Sequence, residues 1–408
     1  MPRRSVLVHV RMLIACSTTA VSTLGAQPPA GRGGMRNATS IQPGASCPAG
    51  MTEVRPRSCM APENAPPSIV DYRPHSTLIS TSHVTRTSKY PAIDFHGHPS
   101  GLLGTTEGLA KLGAALDSLN VRLMVSADNM SGDRLKTTIT TIRASSMKDR
   151  VRVLAGLNFS NVGPGWAAKA VAQLESDVAN GAVGVGEIPK SFGLSVKKLD
   201  GSRLHIDDVE LNPIWEACAR LKLPVFIHTA DPQEFFQPID YSNERWLEMS
   251  LFSDRRYPSD RYPSFEQLMT ERDSLFRHQP KTIFVAAHMG WHANDLARLG
   301  RMFASMPNVY TEIGAVLYDI GRQPRAMRDF FVQYQDRILF GKDSFQPEEY
   351  PFYWRVLETR DDYFDYYRGY HAFWKLYGID LPDAVLKKVY FQNALKLTSG
   401  LPQAGWPR

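Results

Sequence analysis

From residue 92 onward the chain alternates short apolar runs with longer stretches whose apolar residues recur at helical spacing. The runs at 92–98, 121–127, 151–159, 182–188, 224–229, 282–289, 309–315 and 338–344 read as strands. Between them, 106–119, 133–148, 166–180, 207–221, 264–278, 293–306 and 324–335 read as helices, with more helix after the last strand. Strands interleaved with helices in this way predict a (β/α)8 TIM barrel, an α/β fold, with an open doubly wound sheet as the alternative. Two connections are long and aromatic, and both follow a strand. One is 230–263, with Phe235, Phe236, Tyr241, Trp246, Tyr257 and Tyr262; the other runs on from Ser344 through Tyr350, Tyr353, Trp354 and the cluster from Tyr363 to Tyr370. Loops after barrel strands open onto the C-terminal mouth, so these segments are expected either to cover a pocket or to pack as a cap.

The front of the chain is built differently. A basic start (Arg3, Arg4), an apolar run broken by Arg11 and small residues ending at Ala26 make residues 1–26 an export signal by pattern, too short and interrupted to span a membrane. Leu13-Ile14-Ala15-Cys16 also matches the box before a lipidated cysteine, so a lipid anchor at Cys16 is the competing expectation. Either way the protein is expected outside the cytoplasm, periplasmic or secreted. Residues 27–91 are rich in Pro, Gly, Ser and Arg without sustained periodicity, and read as an unstructured tether. Cys47 and Cys59 lie in it at a spacing that can close a small loop, and Cys218, on a predicted helix, is expected to be a buried thiol. The barrel is expected over 92–399, with 400–408 a tail.

Composition, 43% hydrophobic and 22% charged, is that of a soluble globular protein with a large core. The net charge of +6 does not mark a nucleic-acid binder. Residues 1–91 carry ten Lys and Arg against three Asp and Glu, which leaves the body of the chain close to neutral. A small-molecule substrate is expected, and nothing in the sequence sets an oligomeric state.

The strand ends carry the candidate chemistry. In Ala-Ile-Asp-Phe-His-Gly-His, 92–98, alternation puts Asp94, His96 and His98 on one face and Ile93 and Phe95 on the other. Two imidazoles pointing the same way suit a divalent transition ion, although His-X-His alone is more often an ordinary loop pair and the rest of the sequence must decide. Further runs close on His228, on His288 and on Asp343. Counting back by twos from these gives Phe226, then Ala286 and Phe284, then Gly341 and Leu339, so each polar residue ends an apolar or small inward row. Val-Gly-Val-Gly-Glu places Glu187 in line with Val183 and Val185. No cysteine pair has metal-site spacing, so His and carboxylate must hold any ion, zinc first, or iron or manganese in a more open geometry. Such an ion lowers the pKa of its water and polarises a carbonyl. One ion is preferred and two are admitted. Asp343 can be a ligand or accept a proton; His288 can be a ligand or, set back, an acid or oxyanion stabiliser. Glu187 is expected either to link two ions or to be a hydrogen-bond partner of a ligand or of nearby Lys190, which could itself contact substrate. Lys342 is expected to turn away from the axis into an outward salt bridge. Gly163-Pro164-Gly165-Trp166-Ala167-Ala168 half matches a dinucleotide turn, but Pro164 and Trp166 spoil it and it would leave the strand-end ligands unexplained.

Taken together these motifs resemble the amidohydrolase superfamily, in particular the amidohydrolase-related branch that includes proteins like 2-amino-3-carboxymuconate semialdehyde decarboxylase. The resemblance spans roughly 92–397, from Ile-Asp-Phe-His-Gly-His to the closing Asn393-Ala394 helix. It implies metal binding by His96, His98, His228 and Asp343 and a catalytic role for His288. Lys342 departs from it, where Ser or Thr is usual, and Glu187 resembles the bridging glutamate of binuclear members. The function expected first is hydrolysis of an amide, ester or lactone-type bond. A metal-dependent decarboxylase of a cyclic or unsaturated carboxylic acid is the second reading, and an idle barrel serving as a binding scaffold the third.

Overall fold

The computed structural model describes residues 38–407. The expected export signal and Cys16 lie outside the described residues. Two compact units make up the chain, one ending at Pro74 and one beginning at His75.

In the first unit three short strands, β1 (Thr39–Ser40), β2 (Thr52–Arg55) and β3 (Ser58–Met60), form an antiparallel sheet in the order β1-β3-β2. Cys59 at its centre is fully buried and bonded to Cys47, twelve residues earlier. This part of the expected tether is therefore structured. It has too few apolar residues for a core, and a cross-link is the usual means of holding so small a piece together.

The second unit is the barrel. Its strands are β4 (Ala92–His98), β5 (Val121–Met130), β6 (Val151–Ala155), β7 (Val185–Ile188), β8 (Val225–Ile227), β9 (Phe284–Ala286), β10 (Val309–Glu312), β11 (Ile338–Leu339) and β12 (Asp343–Ser344). All pair in parallel, in the order β11-β10-β9-β8-β7-β6-β5-β4-β12. The outermost two are halves of one chain segment. β11 pairs with β10, the Phe340 carbonyl accepts from Phe95 N at 3.0 Å, and Asp343 and Ser344 stand opposite Gly97 and His98. This broken eighth strand closes the barrel. Gly341 lies at the break because a side chain there has no room: a Cβ would stand 2.5 Å from Glu312 Oε2 and 2.8 Å from His96 Cβ.

The helices fall where apolar periodicity placed them. Thr106–Leu119 starts with the Thr105 side chain accepting from Gly108 N at 3.0 Å, ends at Asn120 in the left-handed region (φ 58°), and buries Leu109, Leu112, Leu116 and Leu119. Trp166–Asn180 and Phe265–His278 match to within a residue. β6, β8, β9 and β10 stop earlier than expected, whereas β7 starts later, at Val185, and ends at Ile188 as expected. β8 ends at Ile227 and β9 at Ala286 because the chain leaves the ladder at the histidines, with His288 and Met289 at φ 58° and 53°. Among the long-loop aromatics, Tyr350, Tyr353 and Trp354 are fully buried against Phe340 and serve the core, whereas Tyr241 is wholly exposed. Cys218 is buried, as expected, and burial pushes its thiol up to about 12. Among the described residues no helix is long and apolar enough to cross a membrane.

Both ends of the barrel unit extend past the sequence-based bounds. The expected tail packs on the barrel: Trp406 stacks on Phe391 and Arg122 lies over its ring. At the front, Lys89 N donates to Glu358 and His83 docks on Asp361, a carboxylate only 2% exposed. Asp361 accepts from His83 N at 2.7 Å and Arg355 Nε at 2.7 Å and lies 2.5 Å from His83 Nδ1. Asp361→Ala removes all three contacts and leaves Arg355 with Ser82 Oγ but without an acceptor for Nε, so it is expected to cost about 1–3 kcal/mol. An unchanged midpoint in urea unfolding would show that residues 75–91 are not part of the barrel's stability.

Candidate metal centre

β4 brings its two histidines to one point. His96 is fully buried, its ring edge-on to the inward Phe226 at 4.5 Å, and its Nε2 lies 3.1 Å from His98 Nε2. Asp94, on the same face, does not join them. Its Oδ1 accepts from His96 N and Lys342 N, each at 3.1 Å, and its Oδ2 accepts from Tyr350 OH at 2.5 Å. It therefore fastens the first strand to the eighth and sets the height at which His96 projects.

Glu187, from β7, lies between two groups of imidazoles. Oε2 is 3.0 Å from His98 Nε2 and 3.5 Å from His96 Nε2, while Oε1 is 2.7 Å from His228 Nδ1. The His228 and His288 rings meet edge to face at 4.5 Å. Asp343 Oδ1 approaches from the eighth strand, 3.8 Å from His96 Nε2 and 3.7 Å from His98 Nε2, and its backbone is held at φ 78°. A non-glycine residue in that region costs energy and is kept only where the surroundings dictate it. The structure thus brings His96, His98, Glu187, His228 and His288 together in overlapping sets, His96, His98 and Glu187 in one, Glu187, His228 and His288 in another, and His96 and His288 with Glu312 in a third, with Asp343 beside the first.

Three carboxylates that the sequence reading passed over hold this cluster. Glu312, fully buried at the end of β10, accepts from His288 N at 2.6 Å and from Gly314 N, and its Oε1 is 3.2 Å from His96 Nδ1. The signal was present, a glutamate closing an apolar run as Glu187 does, but a strand drawn to 315 placed it mid-strand. Asp128 Oδ1 lies 3.3 Å from His98 Nδ1. Asp231 takes Lys190 Nζ at 2.7 Å and Tyr257 OH at 2.5 Å and stands 3.7 Å from His228 Nε2. Lys190 therefore serves Asp231 and not Glu187. Lys342 turns away from the axis as expected, but its salt bridge is not outward: Nζ is buried 2.5 Å from Glu349 Oε2 and donates to Ser344 O at 3.0 Å.

The family model of the amidohydrolases matches residues 93–397. The chain belongs to the amidohydrolase family. Among solved structures, this amidohydrolase-family chain is similar to a putative amidohydrolase from Staphylococcus aureus (14% identity, TM-score 0.47, covering 76% of this chain and 99% of that one). It is also similar to 2,6-dihydroxybenzoate decarboxylase from Rhizobium (14%, 0.45, 76% and 98%). A third is an amidohydrolase from Burkholderia multivorans with bound zinc (13%, 0.41, 76% and 99%). No curated protein matches the sequence.

The donor set fits a metal ion. Two Nε2 atoms at 3.1 Å share a site only with a proton or a cation between them, and His228 presents Nδ1 to the same carboxylate, 2.7 Å from Glu187 Oε1. The local charges agree. Burial disfavours a charged His96, but the Glu187 and Glu312 carboxylates outweigh it and hold its pKa well above the ordinary value. His98, buried but beside Asp128 and Glu187, and His228, buried but beside Glu187 and Asp231, are each raised to about 9. Glu187 overcomes its own burial through His96 and His228 and lies well below the usual carboxylate range. His288 behaves oppositely: burial and the neighbouring His228 lower it, and it is neutral at neutral pH. Its Nδ1 lies 2.8 Å from the Gly314 carbonyl, an acceptor, so the proton sits on Nδ1 and the Nε2 lone pair is free. Among the described residues one group of this kind lies away from the cluster, His205, Asp207 and Glu271, and its buried carboxylate is already taken by Arg203, Gln267 and Ile206 N.

Glu312→Ala strips the acceptor from two buried backbone N–H groups, at about 1–3 kcal/mol each. The expected outcome in urea unfolding is a large loss of stability, smaller for Glu312→Gln, which keeps one acceptor oxygen. Parent-like stability of both variants would show that Glu312 does not hold the His288 turn.

Proposed function

We propose that this protein is a metal-dependent hydrolase of an amide, ester or lactone-type bond in a small molecule. The observation that carries the reading is Glu187, whose two carboxylate oxygens face separate imidazole groups at the barrel mouth, 3.0 Å from His98 and 2.7 Å from His228. His96, His98, Glu187 and Asp343 would hold a first ion, zinc before others from the donor types. Glu187, His228 and His288 supply donors for a second. When bound, the ion supplies Lewis acidity, polarising a carbonyl and lowering the pKa of water.

The chain's own groups divide the remaining work. Asp343 is the proton acceptor: burial works against its charge, but the neighbouring His96 holds its pKa below the ordinary carboxylate value, and its side chain is a third exposed, so water reaches it. His288 has a free Nε2 because Gly314 O takes its Nδ1 proton, so it can accept and return a proton or, charged, steady an oxyanion. Asp128 orients His98 and Asp231 lies behind His228, as the outer partners of ligating imidazoles do. Export, a lipid anchor at Cys16 and the expected extracytoplasmic location belong to the same proposal, supported by the amino-terminal pattern alone.

Elemental analysis and turnover on two variants test these assignments. His228→Ala is expected to lose the ion it would share with Glu187. His288→Asn is expected to keep at least one ion while turnover falls about 10²- to 10³-fold. A halved metal content in His288→Asn would make His288 a ligand of a second ion, and unchanged turnover would remove it from the chemistry. If the metal-loaded parent released CO2 from carboxylic acids and no acid from esters, amides or lactones, the reaction would be decarboxylation.

A further inference from the structure

The loops after β5, β6 and β7 enclose a cleft of about 570 Å³, a size that takes a small molecule or a large part of one. Its lining comes from Asn129, Ser131, the 156–161 loop, Pro189, Ser191, Val196 and Lys197. These segments lie at the same end of the barrel as the metal centre and continue directly from it. Asn129 follows Asp128, whose Oδ1 is 3.3 Å from His98 Nδ1, and Pro189 is two residues beyond Glu187. None of the proposed ligands lines the cleft, and neither does any carboxylate, imidazole or thiol.

The lining chemistry is specific. Three asparagines (129, 158, 161) and three serines (131, 160, 191) supply amides and hydroxyls, groups that donate and accept equally well. Asn158 Oδ1 accepts from Ser160 N at 2.9 Å; the side chains of Asn129, Asn161, Ser131, Ser160 and Ser191 have no hydrogen-bond partner among the described residues. An anionic ligand calls for a guanidinium fork or several ammonium groups. The cleft has one lysine, Lys197, exposed as Asn129, Asn158, Ser160 and Asn161 are, while Ser131 and Ser191 are half-buried. A ligand whose groups both donate and accept fits best, and alcohol hydroxyls are such groups.

The wall is also held in place. Phe159 stacks on Phe192 at 4.5 Å and on Trp166 at 5.8 Å, and Trp166 Nε1 donates to Asn158 O at 3.2 Å. Asn129 and Asn161 adopt left-handed backbone, φ 51° and 59°. A Cβ on Gly156 would lie 2.4 Å from Asn129 Oδ1, so glycine at that position is what lets the amide sit where it does. A wall braced in this way presents its amides and hydroxyls to a ligand in fixed positions.

We propose that this cleft is the recognition subsite for an uncharged, polyhydroxylated part of the substrate. The proposal rests on the hydrolase reading for its place in catalysis and on the cleft alone for its ligand class. The test is saturation-transfer NMR on the metal-loaded full chain, with glucose and myo-inositol as neutral probes and succinate as the anionic one. Ser160→Trp, from an exposed loop position, fills the cleft; Ser191→Ala removes one hydroxyl. Transfer to the neutral polyols is expected in the parent, weakened about 3- to 10-fold in Ser191→Ala and abolished in Ser160→Trp, with circular dichroism and metal content unchanged in both. Transfer to succinate alone, no transfer to either polyol, or undiminished transfer in a folded Ser160→Trp overturns it. The two readings fail separately: without hydrolysis but with polyol binding the reaction assignment falls, and with hydrolysis whose KM Ser160→Trp leaves unchanged the subsite falls.

Discussion

Imidazoles and carboxylates buried side by side coexist only where each charge meets its opposite, and in this barrel they meet at Glu187. Its carboxylate is within reach of His96, His98 and His228 at once, and Glu312 balances His96 and the His288 turn from below. Without such pairing the desolvation of any one of these groups would work against the fold. The same balance leaves nitrogen lone pairs converging on a small volume, which is why a cluster that is costly as structure is suited to an ion.

Barrel closure follows from this cluster as much as it supports it. The eighth strand breaks into β11 and β12, and the break is spanned by Asp94, whose carboxylate ties His96 N, Lys342 N and Tyr350 OH together. Gly341 lets the eighth strand pass against Glu312 and His96 without a clash, and Asp343 emerges above it with its side chain over the histidine pair. Closing the sheet and completing the site are thus the same event. Lys342, buried and paired with Glu349, anchors the same segment.

What could be read from the sequence was whatever repeats or alternates. β4 and the helix Thr106–Leu119 were legible to the residue because period and caps agree there, and the strand-end rule picked out His96, His98, Glu187, His228, His288 and Asp343, which the structure brings close together. Glu312, Asp128 and Asp231 were not legible, since their importance lies in what they touch across the barrel and no local pattern records that. The small cross-linked sheet at 39–60 escaped for another reason: strands of two to four residues held by a disulfide leave no period to detect. The docking of His83 on Asp361 spans 278 residues of sequence and is invisible to any local reading.

The central claim is that the residues around Glu187 form a metal site. Titrating metal-stripped protein with cobalt(II), followed by its visible absorption, tests it without reference to any substrate. The account predicts bands of tetrahedral or five-coordinate cobalt that grow linearly and stop sharply at one or two equivalents, and that Glu187→Ala diminishes. A featureless spectrum that rises without a break, identical in parent and variant, would contradict it.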